Sequence, residues 1–582
     1  MVHLPPFIRT VPDRIKIEDL AYLSAKGALT LPSVPLQRAL SRSYFEYVHP
    51  FMPILDIEQF LEAVGSNGKG EQVSLLLYQA IMFAGAAYID VDYFEKGGFS
   101  SRKHAREELF HRARLLYDFN YESHRLVIVQ SVLVMSLWHG SPGEHRNTWH
   151  WVDVAVSQAF AAGLHLDPDS TLFTKRVCRL RRRVWWSCFA TDRLIALEMK
   201  RPPRIRGDDF QVSALEDSDF RIESLPQRSD VPPQTLCSYM LDETSRTTLG
   251  KLCIELVQLC QYLDLSLLSH CSVFGDDNSE MFVWPDKYMP TDSETGNIPS
   301  YSILRHNLEF WKSKLPQCCE YRVPSGETSS TTVHHTSLHM LFQSLVLSIH
   351  QSKLASVRRG AKLTSIEEKA RLGVLCAALQ ISQMAGNIHN TGLNRFLPTT
   401  ASLAVIPAAS VLSREIESEF RAEHFVIKNG LLRCLEVIDS MRSVYEPRTI
   451  ARDAAAWTVS KPLGDHILLG KDGSLPEADD STTKGYEASA TTNESITDYL
   501  NESYSDGTTI GSQLAEAMDC NGTSLGYPAM ENFSLTQDKL KPSLMMQEST
   551  TISSDGNHQF LMEGLGVFND LLESASLNWV SR

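Results

Sequence analysis

The sequence has no cysteines separated by two residues, no basic surplus over its body and no long apolar run. Its eleven cysteines stand at 178, 188, 237, 253, 260, 271, 318, 319, 376, 434 and 520. A two-zinc, six-cysteine cluster needs C-x2-C followed by x6-C, twice, so that six thiolates can bridge two ions; that spacing does not occur. Cys253 and Cys260 have the x6 gap alone, and on a helix they fall two turns apart on one apolar face, which marks core cysteines. No metal or cofactor is expected in this chain.

The net charge of −15 is unevenly spread, because residues 471–582 hold 18 acidic and 5 basic side chains, a net of −13. A near-neutral body with an acidic tail lacks the basic surface that displaces counterions from nucleic acid. Such tails solvate a chain or engage partner proteins. The longest apolar run, Leu126 to Trp138, is broken by Gln130, Ser131 and Ser136 and suits a buried helix, so no membrane span is expected. Pro5, Pro6 and Arg9 interrupt anything like a signal peptide. Reduced thiols are then the default, and the N-x-S/T matches at Asn493, Asn501, Asn521 and Asn532 are accidents of composition.

Catalytic patterns are absent too. HGSPGEH at His139 to His145 is not G-x-S-x-G, and neither a P-loop nor G-x-G-x-x-G occurs. His335 and His339 lie one helical turn apart but without the carboxylate of HExxH, and His139, His145 and His150 cluster among tryptophans, where packing is the simpler role. Asp208-Asp209 lacks the further Asp that a magnesium-binding cluster would need. The chain does not read as an enzyme.

What is present is helical periodicity. After a proline-cut lead-in over 1–40, with one short helix at Ile17 to Lys26, the pattern predicts helices from Ser41 to Val48 and Val73 to Tyr88. Next come His104 to Tyr117, Leu126 to Trp138, Trp149 to Ala162 and Lys175 to Met199. The first of these stops at His49-Pro50, and the helix after Trp149 stops at Gly163. Later helices are predicted at Leu249 to Ser269, Ser302 to Lys314, Thr331 to Ser356, Thr364 to Asn390 and Glu415 to Tyr445. Thr399 to Leu412 should be kinked or broken by Pro407. With β alternation largely absent, the fold class is all-α: a multi-helix domain over 41–460.

Over 461–582 Ser, Thr, Asn, Asp, Glu and Gly dominate, and such a tail is expected to be disordered. Its end, 560–579, interleaves Phe560, Leu565, Phe568, Leu571, Leu572 and Trp579 with Glu563, Asp570 and Glu573, an acidic amphipathic pattern suited to activation.

KRVCRLRRR, Lys175 to Arg183, could be an import signal or a phosphate-contacting helix. Yet its arginines spread around the helix axis and run into Val184, Trp185 and Trp186, so a structural role is preferred, with Arg181 lying over the Trp185 indole one turn away.

Four blocks carry a resemblance. The first is SYFEYVHPFMPILDIEQF, with His49, Pro50 and Pro53 in an H-P-x-x-P turn. The second is the helix pair from Ala113 to Trp138. The third is WVDVAVSQAFAAGLHLDP, with Ala159, Gly163, Leu164, His165, Asp167 and Pro168. The fourth is RRRVWWSCFATDRLIALEMKRPPRIRGDDF, with Arg182, Arg183, Trp185, Trp186, Asp192, Arg193, Arg201, Pro202 and Asp209. In this order they resemble the fungal-specific transcription factor domain, the middle homology region of zinc-cluster regulators. Lys200 stands where that family usually has Gly. The lead-in from Leu4 to Pro32 is similar to the segment before this domain in regulators of the cutinase transcription factor 1 type.

The resemblance implies a nuclear transcription regulator of a metabolic or secondary-metabolite gene set, with zinc only in a cluster upstream of the lead-in. Met1 falls just after where that cluster would lie. The tail would engage coactivators or the transcription machinery, and DNA would be reached only indirectly, through a dimer or a complete zinc-cluster partner. A corepressor-like partner protein and a truncated gene model are the rival readings.

Overall fold

The computed structural model describes residues 4–442, apart from 67–70, 140–145, 200, 224–235, 272–300, 325–328, 356–362 and 418–423. The tail from 461 onward, its candidate activation segment, Lys200 and His145 all lie outside the described residues. Sixteen α-helices and short 3-10 turns are described; among those residues the only β pairing is two isolated bridges, Ile8 with Val73 and Leu166 with Gln211.

The first half is built from α1 (Ile17–Ala25), α2 (Val34–Tyr47), α3 (Ile57–Gly65), α4 (Leu75–Gly85) and α5 (Val91–Lys96). It continues through α6 (Arg102–Asp118), α7 (Arg125–Met135), α8 (Thr148–Ala161) and α9 (Lys175–Met199). α4 reads LLLYQAIMFAG, apolar all round apart from Gln79, and every one of its residues is buried. It is therefore the central post of this half, packed by α2, α6 and α7. Gly85 permits the closest approach: a Cβ there would stand 2.1 Å from the Leu40 carbonyl oxygen of α2.

α10 (Ser238–Leu241) leads into α11 (Glu243–Cys271), α12 (Tyr301–Lys314) and α13 (Ser330–Ala355). α14 (Ser365–Asn390), α15 (Ser402–Glu417) and α16 (His424–Arg442) complete the second half. α14 starts with a reciprocal cap, Thr364 with Glu367, as S/T-x-x-E sequences favour. α11 packs on both α9 and α13 and so joins the halves. His334 of α13 adds a hydrogen bond from Nε2 to the Glu46 carbonyl of α2 at 3.0 Å, and Tyr47 stacks on Phe396 with centroids 4.4 Å apart.

Helix boundaries differ from the periodicity in several places, α11 starting at Glu243 rather than Leu249 among them. α2 begins at Val34 rather than Ser41, because Pro35 sits in its first turn, where a missing N–H costs nothing. α15 runs through Pro407 without a break. The carbonyl that proline leaves unpaired, Leu403 O, accepts instead from Ser344 Oγ of α13 at 2.6 Å. The helix predicted from Glu415 to Tyr445 is two elements, with Glu415 near the end of α15 and α16 starting at His424.

The lead-in is part of the core. Ile8, Leu23, Ala28 and Leu29 are buried. Arg14 donates to the carbonyls of Asn120 and Tyr121, and Arg9 N–H to Val73 O at 2.9 Å.

Candidate functional site

The turn after α2 is laid down by sequence: Pro50 and Pro53 cannot continue a helix, and Asp56 caps α3 by accepting from Gln59 N–H at 3.1 Å. His49 is buried, with Nε2 3.4 Å from the Leu55 carbonyl. Burial and the nearby Arg183 charge lower its pKa to about 3, so the ring is neutral and donates.

Arg183 on α9 reaches across to this turn. Its Nε donates to Pro53 O at 3.1 Å and one terminal nitrogen to Leu55 O at 3.0 Å, while the other meets the carbonyl of Asp219. Arg176, two turns earlier, forms a two-pronged pair with the Asp56 carboxylate. Burial pushes Asp56 up, but the hydrogen bonds from Arg176 and Gln59 outweigh it and hold the carboxyl below its usual range. Arg182 pairs at 2.8 Å with the fully buried Asp219.

At the end of α8, Gly163 adopts φ +65. Leu164 N–H bonds to Ala159 O at 3.0 Å and Gly163 N–H to Phe160 O at 2.9 Å, the paired closure that an αL residue allows. Arg181 donates to the Ala162 and Gly163 carbonyls at 2.9 and 3.2 Å. The spacing predicts that it covers Trp185, but its guanidinium lies instead over Phe173, 4.7 Å from the centroid. Trp185 is enclosed by Phe160, His165 and Phe210 instead.

Downstream, Gln211 N–H donates to His165 O and Asp167 N–H to Gln211 O, at 2.8 and 2.7 Å. Asp167 Oδ1 accepts from Ser213 N–H at 2.8 Å, and Trp186 Nε1 donates to Ser213 O at 2.8 Å. Pro168 O faces the Cys178 thiol at 3.9 Å. Asp209 accepts from Arg206 N–H at 2.9 Å and so closes a turn.

The far end of α9 holds the most buried charges. Asp192 and Arg193 are both fully buried and 2.9 Å apart. Asp192 also accepts from the N–H groups of Arg204 and Ile205 at 2.9 and 3.0 Å. Arg193 donates to Ile205 O at 2.6 Å and stacks over Phe189. The chain past Pro202 is thereby drawn back onto α9, with Arg201 and Arg204 over Trp149 at 5.0 and 3.5 Å.

The residues of three separate sequence blocks thus meet on α9. Pro53 and Leu55 bond to its first half, Phe160 to Pro168 pack on its first half and middle, and Arg204 and Ile205 bond to its end. Asp56, Arg176 and Arg204, inside the quoted blocks and the basic run but not singled out there, complete the braces with Asp219, which no sequence pattern had marked. No group of three or more His, Cys, Asp or Glu able to hold a metal ion occurs among the described residues. His335 and His339 bond to the carbonyls of Cys318 and Cys319 at 2.7 and 2.9 Å, and Cys253 and Cys260 are buried. No described helix is long and apolar enough to cross a membrane.

Residues 42–313 match the fungal specific transcription factor domain. It is 39% identical to cutinase transcription factor 1 beta of Fusarium vanettenii over 76% of this chain and 51% of that protein. A transcription factor of Fusarium pseudograminearum is 30% identical over 76% and 50%. Transcription factor cpaR of Aspergillus oryzae is 27% identical over 78% and 76%. The chain spans about half the length of the first two. These matches are to regulators, not enzymes.

Proposed function

We propose that the chain is the regulatory and activating part of a nuclear transcription regulator acting on a metabolic or secondary-metabolite gene set. The observation that carries this reading is the domain match over 42–313, whose sequence blocks converge on α9 as one braced junction. The helical body supplies a stable regulatory platform. The acidic segment 560–579 recruits coactivators by laying its apolar residues into a partner groove. DNA is reached through a partner or dimer, since the near-neutral body has no basic surplus and the cysteines lack the zinc-cluster spacing.

A reporter assay tests this. Residues 464–582 joined to a foreign DNA-binding domain should activate well above that domain alone, and replacing Phe568, Leu571, Leu572 and Trp579 with Ala should abolish the gain. Activity no greater than the bare domain sinks the activating role.

A second reading, a partner protein that pairs with a complete zinc-cluster factor, is favoured by the same cysteine spacing. Co-purification of this chain with such a factor, together with repression of the factor's reporter, would select it over the first.

A further inference from the structure

Two adjacent cysteines in the turn between α12 and α13 have no part in the braced junction. Cys318 and Cys319 end a 3-10 turn, Gln317–Cys319, that packs on α11. Pro316 starts the turn, and Cys319 N–H donates to its carbonyl at 2.7 Å. Neighbouring side chains point to opposite faces of a strand, but a 3-10 turn swings them only about 120° apart. The two sulfurs accordingly lie 3.9 Å from each other.

Cys318 is the one described cysteine that is not buried; the others, Cys319 included, are enclosed. Burial and the neighbouring Cys318 push the Cys319 thiol well above its usual range, so it rests protonated. A reagent from solvent therefore meets Cys318 first, with a second thiol already behind it. In that arrangement an oxidised cysteine is captured as a disulfide before it reaches the irreversible acids.

Both carbonyls of the pair are clasped from α13. His335 Nε2 donates to Cys318 O at 2.7 Å and His339 Nε2 to Cys319 O at 2.9 Å. The imidazoles stand one helical turn apart on one face and so hold consecutive peptide units. They fix the turn through its backbone and leave the two sulfurs facing each other.

We infer that Cys318 and Cys319 are a redox-modification site, an oxidisable dithiol that a hydroperoxide closes to a vicinal disulfide. The Cys318 sulfur, as thiolate, attacks the terminal peroxide oxygen. The O–O bond breaks, Cys318 becomes a sulfenic acid, and the alkoxide leaves with the proton that Cys318 gave up. The Cys319 sulfur then attacks the Cys318 sulfur; the S–O bond breaks, and hydroxide leaves as water with the Cys319 proton. The two thiols lose two electrons and two protons, and the hydroperoxide is reduced to an alcohol and water.

The sulfurs must close from 3.9 Å to about 2.0 Å. Adjacent α-carbons stand about 3.8 Å apart, whereas an unstrained disulfide prefers about 4.4 Å or more. The bond is therefore strained and readily reduced, which suits a reversible modification rather than a structural staple. The peptide unit between the cysteines belongs to the ring so formed, so closure works against the grip of His335 on the Cys318 carbonyl.

This modification does not depend on the regulatory reading. The test exposes the reduced full chain to graded tert-butyl hydroperoxide, followed by alkylation, trypsin and mass spectrometry. Cleavage after Lys314 and Arg322 gives the peptide 315–322, which holds both cysteines and no other. It should escape alkylation and lose two hydrogen atoms before any other cysteine is oxidised, and dithiothreitol should restore it. Cys319→Ser should abolish that loss and leave Cys318 as a sulfenic acid that dimedone traps. Cys318→Ser should keep Cys319 reduced at doses that oxidise the native pair. Fully alkylated 315–322 at doses that oxidise other cysteines, a bond from either residue to a different cysteine, or sulfinic acid at Cys318 of the native chain without a disulfide overturns the assignment.

Discussion

Arg183 and Leu55 lie 128 residues apart in the chain and are joined by a 3.0 Å hydrogen bond from guanidinium to carbonyl. With its bonds to Pro53 and Asp219, Arg183 ties three segments to one side chain. Arg183→Met keeps the stem but strips the Pro53 and Asp219 carbonyls of this donor and leaves Leu55 O with His49 alone. Stability should fall by about 2–4 kcal/mol, since a buried acceptor stripped of a charged donor pays its desolvation cost. Arg183→Lys should recover only part of this, because an ammonium cannot span three acceptors in a planar fork. Urea unfolding followed by helical circular dichroism is the measurement; an unchanged midpoint in the Met variant refutes the brace.

Asp192→Asn is expected to be more harmful than its size suggests. The amide replaces a carboxylate that faces two backbone N–H groups and the buried Arg193. It leaves a buried cation without its counter-charge, a loss of about 3–5 kcal/mol. The readout is the soluble yield and Tm of the variant, with Asp153→Asn, at the exposed partner of Arg204, as a control that should change little.

Two glycine substitutions separate conformational strain from collision. At Gly163 an added Cβ meets nothing nearer than Arg181 at 3.9 Å, so Gly163→Ala costs only the left-handed φ, about 1–2 kcal/mol. At Gly85 the φ is ordinary, but the Cβ would lie 2.1 Å from Leu40 O. Gly85→Ala must therefore push α2 away from α4 and should destabilise much more. Equal Tm values for the two variants would contradict the close packing of these helices.

Acid should unfold the body through its buried histidines. Burial is the main cause lowering the pKa of His334 and of His350 to about 4, against about 6.5 in an unfolded chain. Between those values the unfolded state binds protons that the folded state refuses. Their contribution is therefore complete above pH 6.5 and is lost as pH falls towards 4, by about 1.4 kcal/mol per pH unit for each histidine. His334→Gln, which can still donate to the Glu46 carbonyl, should flatten the acid limb of the stability curve by about one proton. A slope identical to the native one would show that His334 is protonated in the fold.

How much of this was legible beforehand depends on where each cause lies. The end of α9 follows from a local signal, the Pro202-Pro203 pair that cannot continue a helix, and the structure places α9 from Lys175 to Met199. Gly163 as a helix end was equally local. Arg181 was misplaced because helical spacing offers Trp185, whereas Phe173, before the helix, supplies the ring. Asp219 and Arg204 were invisible because their partners are distant in sequence. The chain does not break at Pro407 for a similarly tertiary reason: Ser344, on another helix, satisfies the carbonyl it leaves unpaired.

The first described residues have a mechanical consequence. Ile8 pairs with Val73, and Arg14 grips the Asn120 and Tyr121 carbonyls, so the chain at its N-terminal end is a rigid mount rather than a free tether. A module joined ahead of Leu4 would inherit the orientation of α4 and α6. A shift of those helices would then turn such a module directly, as a lever turns on its pivot, instead of being absorbed by slack.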